Sequence, residues 1–363
     1  MVKSLKKKIC IVVTSLGGGG AERSSALLSK LLHNAKYDVH IVSVLNQIDY
    51  PYKGKLLNLG LLKDTNDTTL GRLQRLKVLN SYLKKHNFDY VIDNRTRIGF
   101  FKEFIISRVV YNPRKTIYCV RSYNTDLYIN PSDFLGKLLY ASAYKIVTVS
   151  KAIKEKLRHK YGFDNLETIY NPIEKNALVN AGKTEKTLGN YILFYGRLED
   201  EVKNVSLLIE GYSKSSLHEH GIKLIILGNG KDLQMLKSKA ESKGLMSKIE
   251  FLPFRQNPQN MVKNALFTVL TSRYEGFPRS IIESLSLGTP VISVDCKSGP
   301  NEIIVNEQNG LLIENHNPKA LAKAMDRLYE DEDLYVNCKS NAKLSVAKFS
   351  EAMILKHWET ILK

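Results

Sequence analysis

Cysteine is scarce in this 363-residue chain: Cys10, Cys119, Cys296 and Cys338 stand far apart, with no C-x-x-C pair and no Cys/His cluster. That spacing excludes a disulfide-stapled scaffold and the common zinc sites, and it fits reduced, buried thiols in a cytoplasmic protein. Long apolar runs are missing too. No stretch approaches the ~18 residues that cross a bilayer, so any membrane contact is peripheral. The start imitates a secretory leader, with Lys6–Lys8 ahead of apolar Ile9–Val13. It lacks a small-residue cleavage site and continues into charged, helix-forming sequence, so it reads as a first β-strand.

Acidic residues are thin in the first half. Residues 1–180 hold 30 Lys and Arg against 14 Asp and Glu, whereas residues 181–363 hold 24 against 22, within a formal net charge of +18. Such asymmetry marks a half that meets something anionic, nucleic acid or a negative membrane leaflet. No zinc pattern, RNP-like motif or aromatic–basic repeat supports nucleic acid. Otherwise the composition is that of ordinary globular cores, 43% hydrophobic and 25% charged. The length exceeds what one core fills and implies two domains.

Three familiar motifs fail on inspection. The glycine loop Gly17–Gly20 stops short of the dinucleotide pattern G-x-G-x-x-G, because Glu22 stands at its last glycine position. The next strand, Val39–Leu45, ends without an acidic residue for a ribose, which disfavours NAD. Gly182-Lys183-Thr184 is a fragment of a phosphate loop, but Ala177 occupies the place of its first glycine. Asp331-Glu332-Asp333 lies between amphipathic helices and reads as a helix-start charge cluster rather than a metal-binding Asp-x-Asp.

What the chain does have is strand–helix alternation, twice over. Lys8–Thr14, Val39–Leu45, Phe88–Ile92, Lys115–Arg121 and Lys145–Val149 read as strands of the first half, the last of these being its final parallel strand. Tyr191–Tyr195, Lys223–Leu227, Ile249–Leu252, Phe267–Leu270 and Pro290–Val294 repeat the pattern after a polar, unpatterned linker at 174–189. Between strands, Leu70–His86 is a helix whose Leu70, Leu73, Leu76, Leu79 and Leu83 form a stripe expected to pack on the core. The helix Ile98–Tyr111 mixes Phe100, Phe101 and Phe104 with Lys102 and Arg108, which suits either an interfacial or a buried helix.

The stretch from Phe267 to Glu283 carries the chemistry. An apolar strand breaks at Ser272–Pro278 and a helix follows from Arg279 to Leu287, with Ile281, Ile282 and Leu285 on its apolar face. Ligands of open α/β sheets bind at such strand C-termini. Glu275 and Glu283 bracket a helix start whose amides favour an anion. Carboxylates accept hydrogen bonds from sugar hydroxyls, so a sugar joined to phosphate suits this arrangement. Further upstream, Gly196-Arg197-Leu198 follows a strand, and Lys203 and Asn204 open the next helix. Two cations around a tight glycine turn are placed to bind a diphosphate.

Together, S-R-Y-E-G-F-P-x-S-x-x-E and the following G-x-P-V-I (Ser272 to Ile292) resemble the Glu-x7-Glu signature of family-four retaining glycosyltransferases of the GT-B fold. Gly19–Arg23, Tyr170-Asn171-Pro172-Ile173 and Arg197 with Lys203 are similar to other phrases of that family. The resemblance implies an α/β fold of two Rossmann-like parallel-sheet domains facing each other across a cleft. These are an acceptor-binding domain at 1–173, a sugar-nucleotide domain at 190–346, and a C-terminal helix at 347–363 crossing back. It implies catalytic roles for Glu275, Arg197 and Lys203. It places Gly18, Gly19, Phe254, Gly276, Phe277, Pro278, Arg279, Ser280 and Glu283 at the donor, with Phe254 near the base, Glu275 on the sugar and Glu283 on the ribose. Glu22, Arg121 and Asn124 fall on the sugar and acceptor side, Arg121 and Asn124 standing where the family often has His. The expected activity is metal-independent, retaining transfer of a hexosyl or N-acetylhexosaminyl group from a UDP-sugar, without cofactor. The acceptor is a glycan or polyprenyl-linked molecule, with peripheral contact to an anionic membrane and none with nucleic acid. A related 2-epimerase would lack the full Glu-x7-Glu phrase. A glycoside hydrolase would not use the phosphate-binding cations.

Overall fold

The computed structural model describes residues 7–174 and 190–363. Most of the expected linker, and the Gly182-Lys183-Thr184 fragment, lie outside the described residues. The chain forms two compact units, Met1–Pro172 with Glu351–Lys363, and Ile173–Ser350.

In the first unit seven strands form one parallel sheet: β1 (Lys8–Val13), β2 (Asp38–Ser43), β3 (Lys55–Asn58), β4 (Tyr90–Asp93), β5 (Thr116–Val120), β6 (Lys145–Thr148) and β7 (Leu166–Thr168). Their order is β3-β2-β1-β4-β5-β6-β7. β1 is central, with Ile9 paired to Val39 on one side and Tyr90 on the other. A strand covered on both faces reads as a continuous apolar run, and Ile9–Val13 is buried throughout. The leader-like start is therefore the innermost strand. The helix Glu351–Ile361 returns to this unit, where Ile354, Trp358 and Ile361 pack with Ile9, Ile11 and Leu28.

The second unit has β8 (Tyr191–Tyr195), β9 (Lys223–Leu227), β10 (Ile249–Leu252), β11 (Thr268–Leu270), β12 (Val291–Val294) and β13 (Gly310–Ile313). All pair in parallel, in the order β10-β9-β8-β11-β12-β13. Both sheets thus reverse direction once, between β1 and β4 and between β8 and β11. These are the topological switch points of doubly wound sheets, where neighbouring loops diverge and leave a crevice.

Several expectations need correction. β6 is not the last strand of the first unit; β7 follows it, and β3 was not anticipated at all. Both are three or four residues long and only partly buried, so they carry little periodic signal. The leucine stripe of the helix Thr69–His86 packs only at one end: Leu79 and Leu83 are buried, but Leu70 and Leu73 stand 75% and 57% exposed. Lys203 does not open a helix. It closes the short helix Asp200–Lys203, and Asn204 then turns the chain through a left-handed conformation (φ 49°) into the helix Val205–Tyr212. Asn is among the few residues besides glycine that visit that region. Asp331 does start a helix: its Oδ1 accepts the Leu334 amide at 2.9 Å as N-cap of Glu332–Ser345.

Candidate active site

The loops after β8 and β11 leave the sheet side by side at the second unit's switch point. The first is shaped by glycine. Gly228, after β9, has φ 157°, and a Cβ there would collide with the Gly196 carbonyl. A Cβ on Gly230 would likewise run into the Leu198 backbone. Backbone bonds close the seam, Gly196 N–H to Leu227 O at 3.0 Å and Leu198 N–H to Asn229 O at 2.8 Å. The turn beyond is pinned by Asp200, whose amide donates to Asp232 Oδ2 at 2.8 Å and whose Oδ1 accepts the Ser206 amide at 2.7 Å. Lys203 is thereby held at the crevice on a rigid turn.

The β11 loop is tied to that turn. Thr271 Oγ1 donates to the Lys203 carbonyl at 3.1 Å, and the Arg273 amide donates to Val202 O at 2.8 Å. Arg273 Nη2 also donates to Asn204 Oδ1 at 3.0 Å. These bonds bring Lys203 Nζ to 2.6 Å from Glu275 Oε1, which accepts a second bond from Ser272 Oγ at 2.7 Å. Both charged side chains are mostly buried, 18% and 13% exposed. Two residues 72 apart in sequence are thus joined at one point. Close by, burial and the Glu275 charge push the Cys296 thiol far above its usual range, so it stays neutral.

The helix Arg279–Ser286 begins directly after the loop, and Pro278 gives its start no side-chain cap. Tyr195 OH donates to the Ser280 carbonyl at 2.7 Å, fixing the helix start to the end of β8. Arg279 Nη2 lies 2.9 Å from Glu283 Oε1, one helical turn on. Ser298 Oγ bonds the Gly276 carbonyl at 2.8 Å, and Gly299 (φ 104°) packs against Phe277 and Pro278. The Phe277 ring itself is buried on Phe349 at 5.0 Å, so Phe277 presents only backbone to a ligand. Arg197 is 56% exposed and pairs with Glu199 at 3.3 Å. Phe254 is 61% exposed, and its amide is occupied by Asn229 Oδ1 at 3.1 Å.

Of the residues expected at the donor, Lys203, Glu275, Gly276, Pro278, Arg279, Ser280 and Glu283 gather around this one turn. Ser272, Asn204, Asn229 and Ser298, which hold them, were given no site role by the sequence. Ser272 opens the S-R-Y-E phrase and Asn229 lies between the two interlocking glycines, so both carried a local signal.

The first unit has its own glycine loop at the β1–β4 switch point. Gly18 adopts φ 83° and Gly19 is the extended N-cap of the helix Gly20–Asn34, with Glu22 in its first turn. Leu16 stitches the loop to the chain after β2, its carbonyl accepting the Asp49 and Tyr50 amides at 3.1 and 2.8 Å. At the end of β5, Arg121 is aimed by two amides, Nε to Asn94 Oδ1 at 2.9 Å and Nη1 to Asn171 Oδ1 at 3.0 Å. Asn124 is exposed, one residue before a 3₁₀ turn.

Beneath lies a buried ionic cluster. Arg95 Nη2 is 2.7 Å from Asp93 Oδ2 and 3.2 Å from Glu103 Oε2, with all three side chains 8% exposed or less. Burial opposes the Arg95 charge, but Asp93 and Glu103 hold its pKa above the ordinary arginine value. Arg97 lies over Tyr118, Tyr128 and Tyr140 and donates to four backbone carbonyls, including Cys119 O at 3.0 Å. The cluster locks the β4 and β5 ends that carry Asn94 and Arg121.

Comparison with known proteins decides the family. Residues 18–176 match the family described as Glycosyltransferase Family 4, and residues 180–345 match the Glycosyl transferases group 1. The chain belongs to the family-4 glycosyltransferases. This transferase is 27% identical over 365 residues to the N-acetylgalactosamine-N,N'-diacetylbacillosaminyl-diphospho-undecaprenol 4-alpha-N-acetylgalactosaminyltransferase of Campylobacter jejuni, covering 96% of this chain and 98% of that one. It is 25% identical over 361 residues to the amylovoran biosynthesis glycosyltransferase AmsD of Erwinia amylovora, covering 98% and 99%. Among solved structures, a glycosyltransferase from Rickettsia africae superimposes with a TM-score of 0.78 at 21% identity, covering 99% and 98%. Anabaena Alr3699/HepE in complex with UDP gives 0.78 at 19%, covering 97% and 98%. The enzyme therefore has the GT-B fold expected for it.

Proposed function

We propose that this glycosyltransferase moves a hexosyl or N-acetylhexosaminyl group from a UDP-sugar to a lipid-linked or growing polysaccharide acceptor, with retention of anomeric configuration and without a metal ion. The observation that carries the reading is the Lys203–Glu275 contact of 2.6 Å at the switch point. It puts a cation and a sugar-hydroxyl acceptor within one hydrogen bond of each other, as suits a sugar joined to a diphosphate. When the glycosidic bond breaks, negative charge grows on the β-phosphate. Lys203, Arg197 and the amides at the start of the helix Arg279–Ser286 would stabilise that charge as it develops. Lys203 then exchanges its bond to Glu275 for one to phosphate, and Glu275 turns its freed oxygen to a donor hydroxyl. Arg279 steers Glu283 toward the ribose. The acceptor attacks from the face the diphosphate leaves, and fixed cations take the place of a divalent ion.

Support for the donor comes from HepE, solved with UDP and with UDP-glucose. Support for the acceptor comes from the undecaprenol diphosphate in the Campylobacter enzyme's name and the amylovoran polysaccharide in AmsD's. Four buried cysteines, all free, suit the cytoplasm, where such donors would be met. Incubating the protein with UDP-glucose or UDP-N-acetylglucosamine and a short glycan lipid, then reading the product's anomeric proton coupling, tests the proposal. An α-linked product from an α-linked donor is expected. Inversion, or interconversion of the donor sugar with no transfer, would refute it, the latter in favour of an epimerase.

A further inference from the structure

Arg273 stands exposed just past β11, yet its side chain is tied down. Among the described residues no carboxylate pairs with it, unlike Lys203 and Arg279, which each face a glutamate. Its guanidinium instead spans two other loops. Nη2 donates to Asn204 Oδ1 at 3.0 Å, in the turn after β8, and Nη1 lies 3.4 Å from His316 Nδ1, past the end of β13. An arginine side chain offers donors only, so His316 accepts through Nδ1 and carries its proton on Nε2. The His316 end is fixed in its turn. Asn317 Oδ1 accepts the Ala320 amide at 2.9 Å as N-cap of the helix Pro318–Glu330, and Asn315 Nδ2 donates to the Ser272 carbonyl at 3.5 Å. One side chain thus straps the loops after β8, β11 and β13 together.

We propose that Arg273 is a positioning residue of the transfer reaction, holding the Asn204 turn so that the Lys203 ammonium is aimed at the leaving diphosphate. The inference rests on the role proposed above for Lys203. Asn204 directly follows Lys203, is 4% exposed and takes φ 49°. A left-handed residue other than glycine persists only where its surroundings fix it. A buried amide oxygen without a donor destabilises the conformation that buries it. Arg273 supplies that donor. The Thr271 bond to the Lys203 carbonyl fixes the turn from one side, and the guanidinium fixes it from the other. A planar fork suits two acceptors in different loops, where a lysine would present a point charge.

The test is initial rates of the full chain with a short glycan lipid and the faster of UDP-glucose and UDP-N-acetylglucosamine. Arg273→Ala should lower kcat about tenfold or more and leave the donor KM within about threefold, because a misaimed lysine is missed in the transition state rather than by the bound donor. The side chain is exposed, so the melting temperature should stay within about 4 °C of the parent's. Arg273→Lys, which keeps one donor for Asn204, should lose less, about threefold. In a Lys203→Ala background, Arg273→Ala should lower kcat by less than about twofold more, since the group it positions is gone. A purely structural loss would multiply in that background and would raise KM as kcat falls. Either result, or an Arg273→Ala enzyme within about twofold of the parent, would overturn the proposal. The two readings separate cleanly. A Lys203→Ala chain as fast as the parent refutes the donor site itself, whereas a slow Lys203→Ala beside a fast Arg273→Ala refutes the strap alone.

Discussion

Replacing Lys203 by alanine isolates the contact on which the proposed donor site turns. In the resting protein its ammonium neutralises Glu275 at 2.6 Å, with both side chains mostly buried. Exposed ion pairs contribute about 0–1 kcal/mol, and breaking a fully buried one costs about 3–5. This pair lies between those limits, and Ser272 still donates to Glu275 when the lysine is gone. A loss near 2 kcal/mol follows, lowering the melting temperature of a unit this size by roughly 4–8 °C. The catalytic loss is larger. Removing one preorganised group from a developing charge costs about 10²–10³ in kcat, or roughly 3–4 kcal/mol. Lys203→Ala should therefore be folded at 25 °C yet turn over a UDP-sugar at least about a hundredfold more slowly. The assay pairs a thermal melt with initial rates at saturating donor. A kcat within about threefold of the parent, in a folded variant, would refute the assignment of Lys203 to the leaving group.

Glu283→Gln, which keeps the shape but removes the charge that faces Arg279, should raise the donor KM about tenfold or more while changing kcat less, measured by initial rates. Gly228→Ala should destabilise the second unit by about 1–3 kcal/mol in urea unfolding, because alanine at φ 157° is strained and its Cβ meets the Gly196 carbonyl; unchanged stability would mean that the β8–β9 seam is soft. Arg95→Met should cost about 3–5 kcal/mol by leaving Asp93 and Glu103 buried without their shared partner. Adding Asp93→Asn and Glu103→Gln to it should recover part of that loss, and failure to do so would show that the cost lies in packing.

The clustering of side chains around the turn after β11 was readable because most of it is local. Glu275, Pro278, Arg279 and Glu283 lie within one strand–loop–helix passage, where spacing alone places them on a helix start. The 72-residue jump from Lys203 to Glu275 was implied by the family resemblance alone, and the adjacency of β8 and β11 in the sheet is its physical reason. What could not be read was anything decided by a distant partner. Arg121 is oriented by Asn94 and Asn171, and in the helix Phe100–Ile105 Glu103 is buried against Arg95 while Phe101 stands exposed. In sequence that helix suits an interfacial and a buried position equally. Leu70 and Leu73 misled for the same reason: a leucine stripe says that a helix is amphipathic, but not how far along it the core reaches. β3 and β7 were too short for periodicity to speak.

The most direct test of the account is the melting temperature of the parent protein with UDP, GDP, ADP, NAD and the common UDP-sugars. A ligand at ~100 times its Kd adds about 2.7 kcal/mol, a rise of roughly 5–10 °C for a unit of this size. UDP and at least one UDP-sugar should raise it, and Lys203→Ala should lose most of that rise. A rise with NAD alone, or with nothing in the set, would contradict the donor site described for the turn between Lys203 and Glu283.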